Sequence, residues 1–131
     1  MRRSLAVLCA LALCMSAALH AQGKSGDAKP VTLKGYVVDV MCAAGIAKKA
    51  NPMEKAANHT RECCFHEACA ASGFGLFYDG KWVKFDAKGS DLAKKALEAS
   101  KREKGMYFEV TGKMEGEIFV VASLKEATPK T

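Results

Sequence analysis

Between His59 and Cys69 the chain reads HTRECCFHEAC, so eleven residues carry two histidines and three cysteines. No other stretch restricts the fold as much, because thiol and imidazole groups packed this densely are coordinated to a metal, cross-linked or held reactive. The chain has six cysteines in 131 residues. Two of them, Cys9 and Cys14, lie in MRRSLAVLCALALCMSAALHAQ, where two arginines precede an apolar run from Leu5 to about Leu19 and a cleavage point after Ala21. This pattern predicts a secretory signal peptide over residues 1–21, the run being short of the roughly 20 apolar residues of a membrane span. Leu8 and Leu13 stand where a lipoprotein signal needs a small residue before its cysteine, so no lipid anchor is expected. Cleavage near Ala21 places a mature chain without a membrane span in the periplasm or outside the cell.

The 110 residues from Gln22 to Thr131 then form one small domain with a single modest core. Four cysteines remain, and in an oxidising compartment an even count makes two disulfides the default, with three ways to pair them. Loss of Arg2 and Arg3 takes the net charge from +6 to +4, and the lysines are interspersed with acids rather than blocked together. That distribution excludes a nucleic-acid footprint.

Residues 22–30 read as a flexible lead-in, residues 31–126 as the domain and residues 127–131 as a tail. VTLKGYVVDVMC, from Val31 to Cys42, is β-branched and aromatic and predicts a first strand, with a bulge or bend at Gly35. Asn51 and Pro52 suit the N-cap and first position of a short helix. TRECCFHEACAAS, free of breakers, predicts a helix of about three turns ended by Gly73. Two hairpins follow, about Asp79-Gly80 and Glu115-Gly116, separated by an amphipathic helix capped by Ser90. The order of strand, helical insertion, strand, strand, helix, strand, strand predicts a mainly β domain: a five-stranded, partly open barrel of the OB type, with a helix between strands 3 and 4.

On one continuous helix His59, Cys63 and His66 step by four and three residues and fall within about 60° of one another. Cys69 lies a turn further and about 80° round. Cys42, ending the first strand, is their natural partner across the fold, and Asp39 stands ready to orient a histidine or join a ligand set. Thiolate and imidazole are the preferred ligands of zinc and copper, and Cys42, His59, Cys63 with either His66 or Cys69 would complete a tetrahedral set. No C-x-x-C knuckle is present, and without C-x-x-C-H there is no attachment for c-type haem.

The structural alternative is a disulfide. Along a continuous helix Cys63 and Cys69 are some 9 Å apart, beyond the roughly 7 Å reach of a bridge, so Cys42 would bond one of the helical thiols. Closing such a loop is worth about 3 to 4 kcal/mol. A third alternative is redox chemistry at Cys63, near a helix start and beside a histidine, although no oxidoreductase spacing accompanies it. Trp82, Phe85, Phe77, Tyr107 and Phe119 alternate as core residues do. Met41 and Met53 serve as core filling or as soft copper ligands near Cys42. Glu62, Glu67 and Asp86 form no acid–base pair, and no motif for nucleotide binding, hydrolysis or hydride transfer occurs, so no enzyme activity is expected.

GYVVDVMC, HTRECCFHEACAASGFG, KWVKFD and FEVTGKMEGEIFVVASL together resemble a family of small exported bacterial proteins of unassigned function. Its pattern combines a G-x-V-x-D-x-x-C strand, an H-T-x-E-C-x5-C-x3-G segment and a closing V-x-G hairpin, and spans about Leu33 to Leu124. The resemblance implies an OB-like fold and marks Asp39, Cys42, His59, Cys63 and Cys69, with Gly73 ending the helix. Cys64 and His66 are additions to that pattern. The expectation is an exported binding module, for an unidentified ligand or protein, whose Cys/His cluster holds zinc or copper. Its rivals are a disulfide-stabilised domain without metal and a thiol redox protein.

Overall fold

A computed structural model describes residues 28–130. The expected signal peptide and residues 22–27 of the lead-in lie outside the described residues. The first strand, β1 (Val31–Asp39), is shorter than expected: Asp39 turns its carboxylate onto the backbone N–H of Cys42 at 2.8 Å and so caps a helix, α1 (Val40–Ile46). Cys42 therefore sits in the first turn of a helix rather than at the end of a strand. Helix α2 (Pro52–Ala57) starts at Asn51 and Pro52, as the sequence predicts.

The expected three-turn helix is two short ones, α3 (Arg61–Phe65) and α4 (Glu67–Ala71), broken at His66, whose ψ of 134° is extended. Gly73 follows α4 with φ at +84°, where a side chain would be strained. Strands β2 (Phe74–Tyr78) and β3 (Lys81–Phe85) form the first hairpin, and Asp79 and Gly80 both take positive φ, as its two-residue turn demands. Helix α5 (Ala87–Ala99) starts four residues earlier than a Ser90 cap would place it. Its cap is Asp86, which accepts from Gly89 N, while the Ser90 hydroxyl accepts from Phe74 N at the start of β2. Strands β4 (Tyr107–Glu115) and β5 (Ile118–Glu126) form the second hairpin.

The five strands make a mixed sheet whose ladders run in a ring, in the order β1-β2-β3-β5-β4 and back to β1. β1 divides its length between two neighbours: Val31–Tyr36 pairs with β4, and Tyr36–Asp39 pairs with β2. A Cβ at Gly35, just before this change of partner, would collide with the Phe77 carbonyl, so glycine is required for close approach and not for a bulge. The irregularity falls instead at Thr111/Gly112 on β4. The expected gap is bridged by a parallel β3–β5 seam of only two residue pairs, Lys84↔Ile118 and Phe85↔Phe119.

Val37, Leu76, Phe85, Phe108, Val110 and Phe119 point into the ring, and Ala93 and Leu97 of α5 pack against them. Tyr107, expected in the core, belongs to the opposite phase of β4 and stacks edge-on against Tyr36 on the outer face, at 5.0 Å between ring centroids. Val38 and Phe77 point outward as well, where Ala43 of α1 and Ala56 of α2 cover them, with Met53 and Trp82 at the margin. Burial on both faces explains why Tyr36, Val37 and Val38 run as consecutive apolar residues rather than alternating with polar ones. Met41 is exposed and fills no core.

Candidate metal centre

The helical insertion is tied down at both ends, and those ties assemble the site. At the start of α1, Val40 N donates to Gly73 O at 2.9 Å and Met41 N to the Ser72 hydroxyl at 3.1 Å, so α1 begins where α4 ends. Further on, Gly105 N donates to His59 O and Arg61 N to Glu103 O, a single antiparallel bridge that pins His59 and Thr60 to the segment before β4. The Thr60 hydroxyl accepts from Cys63 N at 3.2 Å and caps α3, fixing the thiol relative to the imidazole. Thus Asp39 and Cys42 from one stretch of chain, and His59 and Cys63 from another, arrive in one place.

One ligand atom from each of these four lies within 4.8 Å of the others. Cys42 Sγ is 3.5 Å from Cys63 Sγ and 3.9 Å from Cys69 Sγ. Asp39 Oδ2 faces His59 Nε2 at 3.3 Å, close enough for an ion pair but out of line for a hydrogen bond, and neither atom has another partner. Both are buried: the Asp39 side chain is 0% exposed and that of His59 8%. Two polar atoms so deeply placed, facing each other but neither in a hydrogen bond, are costly unless something else satisfies them.

The sequence set is thereby sorted. Cys42, His59, Cys63 and Asp39 converge, and Cys69 stands beside Cys42. His66 does not join them: it occupies the break between α3 and α4 and is exposed. The break also overturns the single-helix geometry, since α4 is turned so that Cys69 meets Cys42 instead of lying round the back. Cys64, which like His66 is an addition to the resembled pattern but is not among the candidate ligands, is fully buried, with Sγ 3.5 Å from His59 Nδ1. Its signal is present in the sequence as a cysteine five residues after a histidine, but only the extended backbone at Thr60, the cap of α3, sets it against the ring. All four cysteines among the described residues are unbridged.

Electrostatics follow from burial and neighbours. Burial pulls the Asp39 carboxyl upward, but His59 and the Cys42 amide outweigh it and hold the group below the usual carboxylate range. The Cys42 thiol is raised, first by burial and then by Cys63 and the Asp39 charge. Burial likewise pushes Cys64 up to about 12, and raises Cys69, with Asp39 adding to both. Without a cation, these thiols stay protonated; a metal would displace the protons.

Cys42, Cys63 and His59 line an open cleft of about 470 Å³ whose walls include Ile46, Lys49 and Lys55. A larger hollow of about 600 Å³, between Tyr36, Tyr107 and the residues after β5, is lined by no thiol or imidazole. Among the described residues no helix is long and apolar enough to cross a membrane. No protein-family model, curated protein or solved structure matches this chain.

Proposed function

We propose that the protein is a small exported metal-binding module that holds Zn²⁺ through Asp39, Cys42, His59 and Cys63 on an OB-like scaffold. The carrying observation is the pair of buried atoms without a hydrogen bond, Asp39 Oδ2 and His59 Nε2, beside two thiols. Tetrahedral zinc, with bonds of about 2.3 Å to sulfur and about 2.0 to 2.1 Å to nitrogen or oxygen, needs edges of about 3.8 Å between sulfurs and about 3.3 Å between nitrogen and oxygen. The corresponding separations are 3.5 Å between Cys42 and Cys63 and 3.3 Å between Asp39 and His59. A cation there would satisfy both orphaned atoms at once.

Four protein donors complete a tetrahedral shell, which suits storage, transfer or structural use more than catalysis, where a position is kept open. Cys64 supports the set from outside. With Nε2 on the metal, His59 Nδ1 carries the proton and points it at the Cys64 sulfur, fixing the tautomer. Export is the part of the reading supported by the leader-like residues 1–21.

The test is metal analysis with a free-thiol count on protein exported through its own leader. The reading expects one zinc and four reduced thiols per chain. Two bridges without metal would favour the disulfide-stabilised alternative, and one fast-reacting thiol lost on Cys63→Ser the redox alternative.

A further inference from the structure

Cys69 is left over by the zinc set, yet the fold goes to some length to deliver it. On an unbroken helix it would lie about 9 Å along and about 120° round from Cys63. The break at His66 and the ties from Gly73 and Ser72 to the start of α1 bring its sulfur to 3.9 Å from Cys42 Sγ instead. Cys42 thus stands between two sulfurs, at 3.5 Å and 3.9 Å.

We propose that Cys42, Cys63 and Cys69 form a second, all-sulfur donor set for a monovalent soft cation of the Cu(I) class, overlapping the zinc set and sharing two of its ligands. The proposal rests on the metal-binding reading above and extends it to a second kind of ion. Three sulfurs around one ion at bonds of about 2.3 Å stand about 4.0 Å apart in a trigonal plane and about 3.8 Å apart in a tetrahedron. Both contacts of Cys42 are near these values. Soft thiolates select Cu(I), whereas the carboxylate of Asp39 and the imidazole of His59 suit Zn²⁺ better than a soft monovalent ion.

Charge is consistent with this division. Binding of one monovalent ion displaces three thiol protons to solvent and leaves the set two units negative, and Lys49 and Lys55 line the cleft onto which Cys42 and Cys63 open. No electron is transferred when the metal is supplied as Cu(I). Zinc and Cu(I) compete, because both require Cys42 and Cys63.

The experiment titrates reduced, full-length protein anaerobically with Cu(I) against a chromogenic Cu(I) chelator, and separately with Zn²⁺ against a zinc chelator, in the wild type, Cys69→Ser and Asp39→Asn. Asparagine retains a capping oxygen for α1, so the second variant keeps the local fold. Cys69→Ser is expected to lower Cu(I) affinity at least about tenfold more than zinc affinity, and Asp39→Asn to do the reverse. Parallel losses of both metals in both variants, or an unchanged Cu(I) affinity in Cys69→Ser, overturn the proposal. Should Cys69→Ser not fold, X-ray absorption of the Cu(I)-loaded wild type decides: three sulfur neighbours support the proposal, and a shell containing nitrogen or oxygen contradicts it. Failure of the wild type to bind either ion sinks the metal reading itself, while zinc binding without the crossover sinks only this extension.

Discussion

Asp39 Oδ2 and His59 Nε2 lie 3.3 Å apart, both buried, misaligned for a hydrogen bond and without any other partner. Asp39 simultaneously caps α1 through its other oxygen, so the residue that ends β1 also aims a carboxylate at the imidazole. Cap and candidate ligand are one side chain. The position of Cys42 three residues on follows from the same cap.

The two histidines of HTRECCFHEAC are predicted to behave oppositely. His59→Ala removes a buried donor and is expected to lower zinc affinity by about a hundredfold or more, beyond the range for residues that merely support a ligand. His66→Ala, at the exposed break between α3 and α4, should leave it unchanged. Competition titration with a zinc chelator checks both.

The metal-free protein should lose stability on the alkaline side, and Cys64 should carry part of that loss. Its thiol is raised from near 9 to about 12. Below the unfolded value both states are protonated and the contribution is intact; above it only the unfolded chain ionises. Stability then falls by about 1.4 kcal/mol per pH unit per such group as pH rises towards the folded value. Urea midpoints with chelator present should show a shallower decline between pH 9 and 11 for Cys64→Ala than for the wild type, besides a constant cavity penalty of about 1 to 2 kcal/mol.

Asp86 links α5 to the sheet, because its Oδ1 accepts from Gly89 N and from Val121 N, each at 3.1 Å. Asp86→Ala loses a helix cap and strands a β5 amide, which together cost about 2 to 3 kcal/mol. Denaturant unfolding should register the loss, and zinc affinity in the folded fraction should stay at the wild-type value.

Gly35→Ala tests the passage of β1 from β4 to β2. The new methyl would meet the Phe77 carbonyl, so the strands must separate there, at a cost of about 1 to 3 kcal/mol or more. Thermal unfolding should fall accordingly, whereas Gly45→Ala, which meets open space, should not reduce stability.

What the sequence made legible was local chemistry. Asp79-Gly80, Asn51-Pro52 and Gly73 declare their turn, helix start and helix end because each needs a backbone conformation or cap that few residues supply. The break at His66 was not legible: TRECCFHEACAAS consists of acceptable helix residues, and only docking of α4 against α1 interrupts it. Asp86 outcompeted Ser90 as a cap because its carboxylate also serves Val121, a partner from β5. Aromatic residues do not reveal the phase of β4 at Tyr107 because the outer face carries them too, Tyr36 and Tyr107 packing on each other outside the ring. Cys42, His59 and Cys63 could be grouped by chemistry alone, whereas turning Cys69 towards Cys42 and Cys64 towards His59 needed the tertiary ties.

The most direct measurement of the central claim is the zinc X-ray absorption spectrum of the reduced, zinc-loaded protein. Two sulfurs at about 2.3 Å and two nitrogen or oxygen neighbours at about 2.0 to 2.1 Å are predicted, with one sulfur lost in Cys42→Ser. A shell made only of oxygens, or one unchanged by Cys42→Ser, would show that the meeting of Asp39, Cys42, His59 and Cys63 does not hold the ion.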